Sequence, residues 1–394
     1  MEPPSAEEEA EAEWMLRALR RYGELHCFEL QAPTRVLEWT PGGRLCVAGY
    51  GQGGANEILQ LVPPQTLQLR ETQPPPQSLP WGRDFQLLSG GFSPRPVHSL
   101  KAVPGTSLLV TSGPPDATLQ LWQLAPQGSD LIQAVGTIAA ADGTGQAGAR
   151  ICTSASRGAQ VLHGTRLSCV QLTEVESSKV LYRAGCASCA LLSALTFLDP
   201  CSLLLCGTEG QLCLADVRQP PCPLRPLALP WLCPGLHWSL GVRGEAVGSS
   251  WHCQPLALLS SKGHLALVDL RKTSEPLASA CCKVPGASPA PELLCVSWAP
   301  ALQGCLALSG FDGTVHIYST QGWHSSQGWH SSAAQAEPIF IHQGHQFGGA
   351  PGTGAPALVT THSWHPEQPR TLLSAATSGA LHAWQWLQPD ASSV

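Results

Sequence analysis

Four histidines fall in two close pairs, His342-Gln-Gly-His345 and His362-Ser-Trp-His365, and two more, His324 and His330, sit in a tandem Gln-Gly-Trp-His-Ser-Ser repeat. Imidazole nitrogens at such spacing are the raw material of a metal patch, yet no acidic or cysteine co-ligand accompanies them, so the sequence predicts no metal here. Cys186-Ala-Ser-Cys189 has the spacing of half a zinc site, but Cys201, Cys206 and Cys213 lie too far apart to form the second close pair. Asp216-Val-Arg218 and Asp269-Leu-Arg271 are two acid-x-arginine boxes. Each offers either a docking surface or a local ion pair that pins a turn. No Ser/His/Asp or Cys/His set stands in a motif context, and no glycine loop is shaped to cradle phosphate. The expectation is a protein that is not an enzyme and needs no cofactor.

The elements that must position these residues are short and numerous. In a chain of 394 residues, 39 Gly and 35 Pro are spread throughout and charged residues are only 13%, a balance that favours an all-β class over a helical bundle. A net charge of -6 without a Lys/Arg stripe argues against direct nucleic-acid binding. No apolar run is long enough to cross a membrane, and Met1-Glu2-Pro3-Pro4 leads into acids, not a secretory signal. The expected location is therefore the cytosol or the nucleus. Cys46, Cys206 and Cys305 stand inside apolar runs as small buried thiols.

From Leu25 onward a unit recurs: an apolar run, a turn closed by Gly, and an alternating run ending in an aromatic residue or Asp. Leu203–Gly210 before Gln211–Asp216 is one copy, and others end at Trp122, Asp269, Tyr318 and Trp384. Degenerate copies lie at Cys46–Gly49 with Ile58–Leu61, and at Val161–Gly164 with Leu167–Leu172. Seven units result. These residues resemble the WD-repeat β-propeller family, in which each unit is a four-stranded blade. The Trp-Asp pair itself never appears, and the Gly-His dipeptide that opens a unit survives only as Gly344-His345. Blade-internal hydrogen bonds should then be incomplete, and apolar packing between blades should dominate. Kelch repeats are the alternative, for which only the Gly90-Gly91 doublet speaks.

The fold expected is a seven-bladed WD-repeat β-propeller over residues 25–388, with a short N-terminal amphipathic helix within 1–24 and a tail at 389–394. A Pro-rich loop at 63–82 and the tandem loop at 321–332 interrupt it. Cys27-Phe28-Glu29-Leu30 should close the ring as the outer strand of the last blade, because the C-terminal unit supplies only three strands. Residues 7–22 form the helix, with Trp14, Met15, Ala18, Leu19 and Tyr22 on one face. Trp298 and Trp364, at equivalent strand ends, are expected to be packing residues.

Thr34–Trp39, Val47–Tyr50, Arg83–Phe85, Gly90–Ser93, Ser309–Val315 and Thr371–Ala375 resemble one branch of the WD-repeat family more closely. That resemblance implies a non-enzymatic scaffold, a monomeric propeller within a hetero-complex, that holds together the endonuclease subunit pair of the Integrator complex in the cytoplasm and also associates with the mitotic spindle. Candidate partner-binding residues are Trp14 and Leu19 of the helix, Arg218 and Arg271 of the boxes, and Trp323 and Trp329 of the tandem loop. The boxes resemble those by which some WD-repeat proteins dock the adaptor of cullin-type ubiquitin ligases, which implies substrate-receptor activity as the alternative.

Overall fold

The structure is a computed structural model describing residues 6–49, 56–67, 84–125, 129–140, 148–185, 188–218, 224–243, 255–323, 335–347 and 356–387. Seven antiparallel sheets follow one another in chain order. The innermost strands are Thr34–Thr40, Ser99–Ala102, Arg150–Cys152, Leu192–Phe197, Trp238–Gly241, Cys295–Trp298 and Val359–Trp364, for blades 1 to 7. Each touches the next and the last touches the first, so they enclose a central channel. The chain is a closed seven-bladed β-propeller.

Ring closure uses both ends of the chain. Helix α1 (Ala6–Arg21) passes directly into strand β1 (Tyr22–Glu29), which pairs antiparallel with Ala380–Trp386 as the fourth strand of blade 7. The paired strand is longer than the four residues expected from the sequence, because the helix ends where pairing begins.

Successive side chains of a strand point to opposite faces, and here both faces are buried between blades. Leu203 and Leu205 enter the seam with blade 3, while Leu204 and Cys206 enter the seam with blade 5. In blade 5, Leu256 and Leu258 face blade 4, whereas Ala257 and Leu259 face blade 6. This double burial explains the unbroken apolar runs that mark each repeat. Seven apolar clusters fill the seven seams, and they constitute the core. Trp298 and Trp364 are both buried in these seams, as expected. So are Cys46, Cys206 and Cys305, whose thiols burial pushes up to about 12.

Two details depart from the sequence reading. In blade 3 the second marked run does not form one strand: Leu167–Cys169 is a 3-10 turn, and the strand is Gln171–Glu174, with Gln171 opposite His163. The turn is held by Cys169 Sγ, which accepts from the backbone N–H of Arg166, so a local side-chain contact outcompetes extension there. In blade 5 a fifth strand is added: Gln335–Ala336, just after the tandem insertion, lies parallel to the outer strand Ala278–Cys282. The Gly90-Gly91 doublet has a local cause. A Cβ on Gly91 would stand 2.4 Å from the carbonyl oxygen of Ile132, and Gly90 exchanges backbone hydrogen bonds with Asp130 and Ile132. The glycines let the segment leading into the outer strand of blade 2 (Gln133–Ile138) lie flat on the outer strand of blade 1.

Candidate interaction surfaces and the closing blade

Helix α1 presents Trp14 and Ala18 on one stripe at i and i+4, and Tyr22, expected as the last helical residue, instead opens β1 directly after it. Ala18 and Tyr22 are buried in the seam between blades 6 and 7, and Trp14 packs half-buried on it. The Trp14 ring lies 5.3 Å from Phe347, 6.4 Å from Tyr22 and 6.5 Å from His342. The Arg21 guanidinium sits 4.8 Å above the Phe340 ring. Met15, assigned from the sequence to the inner face, is turned outward beside the exposed Leu16. It lies one residue, or about 100°, from the stripe. Leu19 belongs to the helix, but its side chain is outside the described residues.

Under the helix lies a histidine cluster whose third member the sequence did not disclose. His342, His345 and His382 are buried with their ring nitrogens within 4.8 Å of one another. Tyr22 Oη lies 2.9 Å from His342 Nδ1, and His342 Nε2 lies 3.0 Å from His382 Nδ1, a continuous hydrogen-bonded chain. His345 Nε2 and Ser374 Oγ are 2.8 Å apart, and Trp384 Nε1–H donates to the same hydroxyl at 3.2 Å. Burial holds His342 and His345 well below the usual imidazole range and lowers His382 to about 4, so all three are neutral at pH 7. Three imidazoles invite the question of a metal. The rings of His345 and His382 are stacked 3.9 Å apart with planes 8° from parallel, so their lone pairs run side by side instead of converging. The geometry is that of a hydrogen-bonded, aromatic-packed junction.

The other sequence-paired histidines go elsewhere. His362 lies between Ser297 and Ser309, each 2.7 Å from a ring nitrogen, and His365 Nε2–H donates to the carbonyl of Leu67 at 2.7 Å. His324, His330 and Cys186 lie outside the described residues. In blade 2, Trp122 Nε1–H donates to Thr111 at 2.8 Å with no histidine behind it. Blade-internal relays are therefore partial, and blade 7 comes nearest to a complete one.

Both acid-x-arginine boxes close on themselves. Arg218 Nε and Nη2 donate to Asp216 at 3.0 and 2.6 Å, and Arg271 does the same to Asp269 at the same distances. Backbone N–H groups of both arginines also bond the carboxylates. The Arg218 side chain, together with these bonds, holds the Asp216 carboxyl at about 2. The outer faces of the guanidinium groups remain exposed, at 69% and 59%. Trp323 packs half-buried against the seam between blades 5 and 6, 6.4 Å from Tyr318. Trp329 lies outside the described residues. A surface not found in the sequence is the outer rim of blades 1 and 2, where Leu87, Phe92, Leu131 and Val135 are exposed. The Gly90–Leu131 bridge brings the two blades together there. Strict alternation puts Leu87 and Phe92, five residues apart, on opposite faces, but a register shift lies between them, and Leu131 is laid on this strand only by the bridge. Among the described residues, no helix is long and apolar enough to cross a membrane.

No family model matches the chain. Comparison with curated proteins is informative. A mouse protein is 43% identical over 380 residues, covering 96% of this chain and 99% of its own length. A human protein is 41% identical over 377 residues (95% and 97%), and a zebrafish protein 40% over 376 residues (95% and 96%). Each is named Integrator complex assembly factor WDR73. With identity at this level over 95–96% of its length, the chain belongs to the WDR73 family of WD-repeat β-propellers.

Proposed function

We propose that this chain is a non-enzymatic scaffold that assists assembly of the Integrator complex by protein–protein contact. The observation that carries the reading is the near full-length similarity to proteins named as Integrator assembly factors. A rigid ring that offers exposed apolar side chains on one rim and an anchored helix with Met15 and Leu16 outward is suited to that work. The finer reading is that it holds the RNA-endonuclease subunit pair together in the cytoplasm, with an association with the mitotic spindle as a second role. The alternative, a substrate receptor of a cullin-type ubiquitin ligase, rests on the boxes at Arg218 and Arg271.

Co-purification of the tagged chain from cytosol, with identification of bound proteins, tests this. Recovery of the Integrator endonuclease subunits by the parent, and by a variant with both Arg218 and Arg271 changed to Glu, supports the scaffold. Recovery of the ligase adaptor without those subunits, lost in the double variant, replaces it with the alternative. The same experiment without residues 1–22 assigns or removes a role for the helix.

A further inference from the structure

A helix that packs on a protein surface ordinarily buries one apolar stripe and presents charge on the opposite side. Helix α1 buries Ala18 and rests Trp14 on the seam between blades 6 and 7, yet its outward side carries a second apolar stripe. Ala12, Met15 and Leu16, at i, i+3 and i+4, are all exposed, the last two at 53% and 68%. Leu387, whose N–H donates to the Arg21 carbonyl, is exposed just beyond the end of the helix. We propose that the stripe is a self-association surface, on which the same helix of a second copy of this chain lies antiparallel about a two-fold axis at Met15.

Charge complementarity selects that occupant. Glu9 and Glu13 lie toward the start of the helix and Arg17 and Arg20 toward its end, and all four side chains are exposed. With Leu16 between them they follow one another at helical i, i+3 and i+4 spacing, so they flank the stripe along one side. An antiparallel mate brings Glu13 toward Arg17 of the second copy and Glu9 toward its Arg20, and the two-fold axis repeats both contacts. A parallel mate would instead set the acidic ends side by side and the basic ends side by side. Glu13 and Arg17 already form an ion pair along the helix, and in the dimer it meets its own copy as a network of four charges. This run of charge also complements the helix dipole, but the dipole gives no reason for Met15 and Leu16 to face water. Because both copies use the same surface, association stops at two and no open filament forms. A helix of 16 residues is about 24 Å long. The contact it offers is smaller than a standard interface, so affinity in the micromolar range is expected. Pairing through the helix leaves the exposed rim of blades 1 and 2 free, and the inference stands independently of the assembly reading.

The test is sedimentation velocity of the full chain over about 1–100 µM. The expected result is a monomer that converts to a dimer as concentration rises, and less readily as salt rises, because the flanking charges are screened. Met15→Gln combined with Leu16→Gln keeps helix propensity and changes only exposed side chains, so the melting temperature should hold while association weakens about tenfold or more. Two charge variants fix the arrangement. Glu9→Arg with Glu13→Arg, and Arg17→Glu with Arg20→Glu, should each stay monomeric alone and form a one-to-one dimer when mixed, since one helix is then basic along its flank and the other acidic. Melting curves verify that every variant is folded. Self-association is overturned if the parent remains the monomer that the family resemblance implies, or if the folded Gln variant dimerises as tightly as the parent. It is equally overturned if the folded charge variants dimerise alone or fail to pair when mixed. A monomeric parent whose co-purified proteins are lost in the Gln variant would give this face to a different protein and overturn the proposal as well.

Discussion

Blade 7 and blades 4 and 5 solve the same packing problem with different side chains. The seam between blades 4 and 5 is mostly aliphatic, built from Leu204, Leu212, Leu240, Leu256, Leu258 and Val268 alongside two buried tryptophans, Trp231 and Trp238. The seam between blades 6 and 7 is aromatic, with Phe340, Trp364, Trp384 and Trp386 around Tyr22. Phe340 stacks on Trp384 at 5.5 Å, and His342 stacks on Trp384 at 4.6 Å. Aliphatic seams join residues near in sequence, so any well-filled interdigitation serves. The closing blade must bring Tyr22 to Trp386 from opposite ends of the chain, and directional hydrogen bonds from Tyr22 through His342 to His382 fix that register. The lesson is that polar specificity is concentrated where loop closure is most costly.

The strongest way to break this comparison is to remove the closing strand. Deleting residues 1–31 exposes the edge of Ala380–Trp386 and should abolish the cooperative melt or the soluble yield; a truncated protein melting at the parental temperature would refute the account of closure. Next in size are Trp384→Ala, Trp364→Ala and Trp298→Ala, each expected to cost about 3–5 kcal/mol by denaturant titration. Trp384→Ala also frees Ser374 from its indole donor. Leu258→Ala in the aliphatic seam should fall at about 2–4 kcal/mol, and an equal or larger loss there would erase the distinction drawn above.

Acid separates the two regions more finely. Burial lowers His362 and His382 of blade 7 to about 4, whereas blades 4 and 5 hold only half-buried imidazoles among the described residues, His264 and His237, the latter also lowered by burial. A depressed imidazole pKa means that the unfolded chain binds more protons, so the stabilisation is complete above about pH 6.5 and is lost as pH falls from there toward 4. The slope is about 1.4 kcal/mol per pH unit for each such group. Amide exchange at pH 5 should therefore accelerate in Thr371–Ala376 and β1 before Leu256–Ser260. Uniform acceleration would contradict this. The smallest effect is at the boxes: Arg271→Ala and Arg218→Ala should leave the melting temperature unchanged within error, because these ion pairs are solvent-screened, while the Asp216 carboxyl returns upward from about 2 in an NMR titration.

The sequence by itself determined the class and the repeat. Runs such as Leu203–Gly207 must be buried on both faces, and glycine closes the turns after them; Gly210 and Gly263, for example, have positive φ. Those two facts and the recurrence imply a ring, and the missing fourth strand at the C-terminus assigned Cys27–Leu30 to its closure, of which Leu30 falls just past the paired strand. Residues whose roles depend on neighbours in their own strand or turn were likewise legible, as the acid-x-arginine boxes show. What only the tertiary structure decided involves partners far apart in the chain. His382 joins His342 across forty residues, Arg35 meets His98 across a blade boundary, and a bridge to Gly90 lays Leu131 on the outer strand of blade 1. No spacing rule reaches such pairs, because register around a closed ring is set jointly by all seven seams and not by any segment of the sequence.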